Sequence, residues 1–266
     1  MHILIPTYQS TTRVLTITLA LLDHYWPTHP PIRQIPMTSS PWLGPMTEAV
    51  GALNDPLFLL LLDDYALCSP VQNDKITRAI QTMAHHPDID LFPLSWYPAQ
   101  KRLPHPNLPS DILHLQSSPI LLQAALWRRD FFLHLAQDID PRASAWGFES
   151  AATQKLRPLT PTPKICAFSQ PEPRWLGGPF LDGFDKSHWP LPYHNLIHRG
   201  RLALHHEPFL HQHGFTFPSR GLGDTLANLA HSTGLTTLIH HLEHLTQTPC
   251  GCSARRQWLN EKLPYT

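Results

Sequence analysis

Charge is scarce in this chain. Only 15% of its 266 residues are Asp, Glu, Lys or Arg, and 20 basic residues balance 20 acidic ones. With histidine neutral the net charge is zero, which excludes a strong overall field towards nucleic acid or an anionic membrane and leaves room only for a local patch. Long apolar runs are lacking too: none reaches the roughly 18 residues of a membrane span. The first residues, MHILIPTYQS, carry no basic segment followed by a long apolar core, so no signal peptide is expected. Cysteine is sparse. Cys68, Cys166, Cys250 and Cys252 form no disulfide framework, and a reducing cytoplasm is the expected compartment. Glycine is outnumbered by proline, 12 to 29, which predicts stiff loops and short helices.

Apolar residues make up 42% of the chain, enough for a real core. HILIPTY (2–8) reads as a buried strand. TTRVLTITLALLDHYW (11–26) has helical spacing and stops at Pro27. IRQIPM (32–37) is a second strand, PMTEAVGAL (45–53) a helix, and LFLLLLDD (57–64) the most apolar strand, of the kind buried on both faces. A helix over 71–86 and a strand over 90–96 follow. This alternation predicts an α/β fold, a mostly parallel sheet flanked by helices. After a proline-rich loop (98–109) come a short strand or loop and a helix from about Pro119 to Gln137. SAWGFE (144–149) then leads into another helix. The expected division is a domain over 1–215, with halves at about 1–97 and 98–215, and a small helical C-terminal appendage with a basic tail over 216–266.

The adjacent carboxylates Asp63 and Asp64 stand where the most apolar strand ends. Ligands of open α/β sheets bind beyond the carboxyl ends of the strands. Two like charges there call for a cation, and Mg²⁺ or Mn²⁺ held with a diphosphate suits oxygen ligands. An Asp pair that caps the next turn is the plainer alternative.

The order strand–Pro6-Thr7-Tyr8–helix–strand–helix–strand–DDY, then QAALWRRDFFLHL (123–135) and WGFE (146–149), resembles GT-A fold, family-2-like glycosyltransferases over roughly residues 2–205. The resemblance implies a nucleotide-sugar donor, a UDP-sugar first among them, and a GT-A-like fold with donor and acceptor halves. It implies that Asp64 is the main metal ligand and that Asp63 meets ribose or shares the metal. Pro6, Thr7 and Tyr8 would line the nucleotide pocket. Glu149 would be the general base, and Arg199 and Arg201 would meet the diphosphate. The plainer alternative for Glu149 is a place in a helix N-terminus, where its charge favours the dipole, but a base is what an attacking hydroxyl needs. Trp127 and Trp146 offer flat faces for an acceptor, although Trp127 also suits a core. Arg128 and Arg129 are phosphate candidates. His188, His194 and His198 are candidate third metal ligands. The sequence departs from the family at Met37-Thr38-Ser39, where many members carry an acidic residue.

The tail holds Cys250-Gly251-Cys252, Arg255, Arg256 and Trp258, and has a faint likeness to bacteriophage proteins. It suggests a hydroxymethylated pyrimidine in phage DNA as one acceptor, in a bacterial or phage-infected cytoplasm. A glycan or lipid intermediate is the other. Two further classes stay open: a nucleotidyltransferase, although QSTTR (9–13) has no phosphate-binding glycine, and a catalytically inactive binding protein that retains the fold.

Overall fold

A computed structural model describes residues 1–37, 41–156, 164–170, 185–198, 201–203 and 206–215, with isolated positions beyond. The chain divides into two compact units, Met1–Arg199 and Gly200–Thr266.

In the first unit, β1 (His2–Tyr8) is followed by a short 3₁₀ turn (Gln9–Thr11), α1 (Thr12–Tyr25), β2 (Ile32–Met37), α2 (Leu43–Gly51), β3 (Leu57–Leu60) and β4 (Tyr65–Leu67). Then come α3 (Asn73–His85), β5 (Ile89–Pro93), β6 (Lys101–Pro104), β7 (Ile112–Gln116) and β8 (Ala125–Arg128). Last are α4 (Arg129–Ala136), α5 (Ala145–Leu156), β9 (Lys164–Phe168), β10 (Tyr193–Asn195) and the start of β11 (Ile197–His198). The second unit contributes β12 (Arg201–Leu202) and α6 (Glu207–Gln212).

Eight strands form one sheet in the order β2-β1-β3-β8-β5-β9-β7-β6. β1 pairs in parallel with β2 and β3, and β5 with β9. β8 runs antiparallel between β3 and β5, and β7 antiparallel between β9 and β6. Six of the eight strands therefore share one direction. A two-stranded ribbon, β4 with β10, stands apart.

Both faces of the sheet are buried, because alternate residues of each strand feed opposite cores. Leu4, Phe58, Leu60, Ala125 and Trp127 join one cluster with residues of α2, α4 and α5. Ile3, Ile5, Leu57, Leu59 and Leu126 join the other with residues of α1 and α3. The strand expected over 57–64 is thus dry on both sides but ends at Leu60, and the two aspartates lie in the turn that follows.

The structure corrects the segment after Pro119. A helix was expected to Gln137, but residues 125–128 are the central strand β8 and the helix starts only at Arg129. A short, fully buried strand carries no period-2 signal, so its apolar run imitates a helix. Trp127 therefore points into the sheet's core. The proline-rich loop also hides an edge strand, β6.

Arg128 and Arg129, expected to pair with phosphate, hold backbone instead. Arg128 Nε donates to Ile89 O at 3.0 Å, and its terminal nitrogen donates to Met83 O at 2.8 Å and His86 O at 3.2 Å. It therefore satisfies carbonyls at the C-terminal end of α3. Arg129 NH1 donates to Leu53 O at 2.9 Å, past the end of α2. Arg128→Met leaves those three carbonyls without their cation. We expect it to lower stability by roughly 2 kcal/mol, read as a lower urea midpoint with an unchanged slope.

Candidate functional site

The carboxyl ends of β1, β3 and β5 open on one edge of the sheet. Because β8 runs the other way, the segment leading into it arrives at that same edge. The sequence places its chemical groups there.

Asp63 is 7% exposed. Thr11 donates its hydroxyl to Asp63 Oδ2, and the nearby Tyr8 backbone N–H favours the ionised form of the same carboxyl. Thr18, inside α1, donates to the Asp63 carbonyl at 2.7 Å. Asp63 thus ties the end of β3 to the β1–α1 turn. Its carboxyl is pushed above the ordinary range, because burial outweighs the bonds from Thr11 and Tyr8. Thr11 lies at the start of α1 yet makes no capping bond there, since its hydroxyl is turned to Asp63.

Asp64 is half-buried and differs in its setting. Its carbonyl accepts the Leu196 N–H at 2.8 Å, which extends the β4–β10 ladder by one pair. Tyr65, next along, stacks on Tyr193 with ring centroids 4.1 Å apart and 14° between planes. The Tyr65 hydroxyl is pushed well above its usual value, first by burial, then by Tyr193, Asp64 and Glu149. Tyr65 therefore feels both carboxylates, one from each half of the sheet.

Glu149 lies in the second turn of α5 and is half-buried. Its Oε1 accepts the Leu122 N–H at 2.6 Å. The neighbouring N–H groups are held alike: Ile120 N donates to Thr153 Oγ1 at 2.9 Å, and Leu121 N to the Tyr97 hydroxyl at 2.8 Å. Tyr97 in turn donates to Pro119 O at 2.8 Å. Three consecutive backbone donors, which no ladder serves, thus find side chains. Burial raises the Glu149 carboxyl above its ordinary value, and the Leu122 N–H offsets part of that rise.

Of the other expected site residues, Pro6 is buried in β1, while Thr7 and Tyr8 are half-buried at its end. Thr7 donates to Ile35 O at 3.3 Å. The Tyr8 hydroxyl is raised by burial and by the Asp63 charge. Trp146 is 83% exposed, three residues before Glu149 and so on a neighbouring helical position. Trp127 is 0% exposed, stacked on Phe131 and edge-on to Phe132. It offers no face to an acceptor, which corrects that expectation. Arg199, the side chains of Arg201 and His198, Cys250, Cys252 and residues 38–40 lie outside the described residues. Thr11, Tyr97 and Thr153 were missed. A hydroxyl three residues after a strand, and a tyrosine just past β5, are too common to single out.

Among the described residues no group of three or more His, Cys, Asp or Glu is placed to hold a metal. A hard divalent cation needs only one or two carboxylates when phosphates and water complete its shell, and the oxygen donors of Asp64 fit that chemistry.

No protein-family profile and no curated protein matches this sequence. Comparison with solved structures gives likenesses at low identity. A CMP:2-keto-3-deoxy-manno-octonic acid synthetase complexed with CTP gives a TM-score of 0.32 at 11% identity, over 62% of this chain and 88% of the other. Residues 1–349 of S. aureus TarS give 0.38 at 13%, over 64% and 58%. A UDP-glucose pyrophosphorylase complexed with UDP-glucose gives 0.37 at 9%, over 63% and 89%. The chain spans less than two thirds of TarS 1–349.

The Asp63 tie has a measurable consequence. A buried carboxyl with a raised value destabilises the fold as pH rises from the unfolded value through the folded one. Thr11→Val removes a bond to the ionised form and raises that value further. Its cost should be small near pH 4 and grow to about 1–3 kcal/mol at pH 7, followed by urea unfolding at both pH values.

Proposed function

We propose that this protein is a glycosyltransferase that moves a sugar from a nucleotide-sugar donor to an acceptor hydroxyl, with inversion. The observation that supports the reading is that Asp63 and Asp64 follow the carboxyl end of β3 while Glu149 is bonded to the Leu122 N–H of the segment that enters the antiparallel β8 beside it, at the same edge of the sheet. Group transfer between a diphosphate ester and an alcohol needs a charge partner for the leaving group and a base for the nucleophile, and Asp64 and Glu149 would supply them.

Asp64 would hold Mg²⁺ or Mn²⁺ at the diphosphate, with Asp63 fixing the loop on which the nucleotide rests beside Pro6, Thr7 and Tyr8. When bound, the cation neutralises charge on the departing nucleoside diphosphate. Glu149 Oε1 is engaged by Leu122, so Oε2 is the oxygen an acceptor hydroxyl would meet. Oε2 takes the hydroxyl proton as the acceptor oxygen bonds to the anomeric carbon. The bond from that carbon to the phosphate oxygen breaks, and the nucleoside diphosphate leaves. Exposed Trp146 would present its ring to the acceptor, either a glycan or lipid-linked sugar or a hydroxymethylated pyrimidine.

A screen tests this. UDP-, GDP- and TDP-sugars are supplied with Mn²⁺ and with glycan acceptors or hydroxymethylated DNA, and nucleoside diphosphate release is measured. Turnover with one donor, abolished in Asp64→Asn and cut about 10²–10⁴-fold in Glu149→Gln, supports the reading. No turnover and no thermal shift with any donor overturns it. Pyrophosphate release from a nucleoside triphosphate and a sugar phosphate would turn it into a nucleotidyltransferase.

Two further outcomes follow from the burial of Glu149. kcat/KM should rise with pH through a value above that of ordinary glutamate and then level off, because only the ionised base accepts the proton. Glu149→Gln keeps an oxygen for Leu122 and removes a desolvated charge. It should therefore raise Tm at pH 7 by about 2–4 °C, the shift roughly 1 kcal/mol gives in a domain of this size, and this gain should vanish at low pH, where wild-type Glu149 is neutral.

A further inference from the structure

Two polar side chains are buried together where the sheet's central strands meet its functional edge. Gln123 is 6% exposed and Ser95 1%. The Ser95 hydroxyl donates to Gln123 Oε1 at 3.3 Å. That hydroxyl has no other partner among the described residues, so its proton goes to the amide oxygen, and the nitrogen of the carboxamide is turned the other way. Gln123 Nε2 keeps two N–H donors that no described residue accepts. It is not sealed from solvent either, unlike the indole nitrogens of Trp42 and Trp127. Buried polar groups are normally paired. Two spare donors on a side chain this enclosed call for an oxygen from outside the protein.

The place of Gln123 is fixed by its neighbours. Ala125, at the start of β8, pairs with Leu60 on one side and Pro93 on the other. The bond from Leu94 N to Ala124 O, 2.9 Å, carries the β5 side one residue further. Gln123 therefore stands just outside β8, at the edge where β3 and β5 end. Leu122, directly before it, gives its N–H to Glu149 Oε1 at 2.6 Å, and consecutive Cα atoms are only about 3.8 Å apart. On the other flank of β8, β3 leads into the Leu62–Tyr65 turn that holds Asp63 and Asp64. In the transferase reading the sugar is bonded to the diphosphate at Asp64 before transfer and to an oxygen at Glu149 after it. The segment that enters β8 lies between those two stations.

We propose that Gln123, its oxygen held by Ser95, binds a hydroxyl oxygen of the transferred sugar through Nε2. This rests on the transferase reading and adds a residue to it. A neutral amide donor suits an uncharged hydroxyl, and a site built to bond a hydroxyl rejects a ligand that lacks it. Ser95 is a positioning residue, which sets the direction of the carboxamide. The contact is made to the sugar and not to the nucleotide, so it separates the affinity for a nucleotide sugar from that for the nucleoside diphosphate alone.

The test uses the full chain with Mn²⁺ and titration calorimetry. UDP-glucose, UDP-N-acetylglucosamine, GDP-mannose and TDP-glucose are compared with UDP, GDP and TDP. Gln123→Met, close in volume but without donors, should weaken the best-bound nucleotide sugar at least tenfold and leave its nucleoside diphosphate within about twofold. Ser95→Ala, which keeps the donors but frees the carboxamide, should fall between wild type and Gln123→Met. A merely structural role would lower Tm and leave the ratio of the two affinities unchanged. If Gln123→Met does not fold, Gln123→Glu, which keeps an oxygen for Ser95, is read by the same ratio. An unchanged ratio in the variant that folds, the result expected if Nε2 only holds water, overturns the role of Gln123 and leaves the transferase reading standing. A wild type that binds none of the nucleotide sugars overturns both.

Discussion

The buried carboxylate of Asp63 is the constraint on which the donor side of the molecule depends. With its backbone carbonyl it joins three pieces of chain: the end of β3, the turn after β1 through Thr11, and the second turn of α1 through Thr18. A carboxylate buried without donors would be costly. The β1–α1 turn supplies them, and the turn is shaped in exchange, with Thr11 withdrawn from capping its own helix. This one interaction leaves the two adjacent aspartates in unlike settings. Asp63 faces protein donors, whereas Asp64, the next residue of the same Leu62–Tyr65 turn, is half-buried and bonds Leu196 through its backbone carbonyl.

The acceptor side repeats the device with different parts. The segment before β8 enters the sheet against the prevailing direction, and no strand serves its N–H groups. Thr153, Tyr97 and Glu149 serve them instead. Glu149 is thus held rigidly by the same bond that leaves it only partly compensated for burial. A structural task and a poised carboxyl are not rivals here: the N–H fixes one oxygen in place, and desolvation raises the proton affinity of the group as a whole. The scarcity of charge fits this pattern. Arg128 and Arg129 are also used on carbonyl groups at helix ends, where phosphate contact had been the sequence-based expectation.

Much of the α/β order was legible, because strands such as HILIPTY and helices such as 73–85 announce themselves by period and by their stops. That Asp63 and Asp64 stand at the carboxyl end of the apolar strand followed from the strand order, whereas Glu149 was marked only by the family resemblance. What was not legible has a common cause. β8 is dry on both faces, so its residues lack the alternation that marks a strand. Trp127 on that strand and Trp146 on α5 are alike as letters, and only their burial separates a core ring from an exposed one. Asp63 and Asp64 are alike for the same reason, since their difference lies in Thr11, more than fifty residues away.

The β4–β10 ribbon shows how a late loop can complete an early site. Tyr65 follows the aspartates directly, and it is Tyr193, far along the chain, that stacks on it and sets the register. Once that register is fixed, His194 lies opposite Ala66, and the segment 185–192, with Trp189 buried in it, leads into the ribbon. The backbone bonds from Gln72 N to Pro190 O and from Leu191 N to Leu94 O pin this segment at 3.0 Å each. Lys186, buried on that segment, has little freedom to swing into solvent. Order that the fold supplies before any ligand arrives is not a cost that binding has to meet.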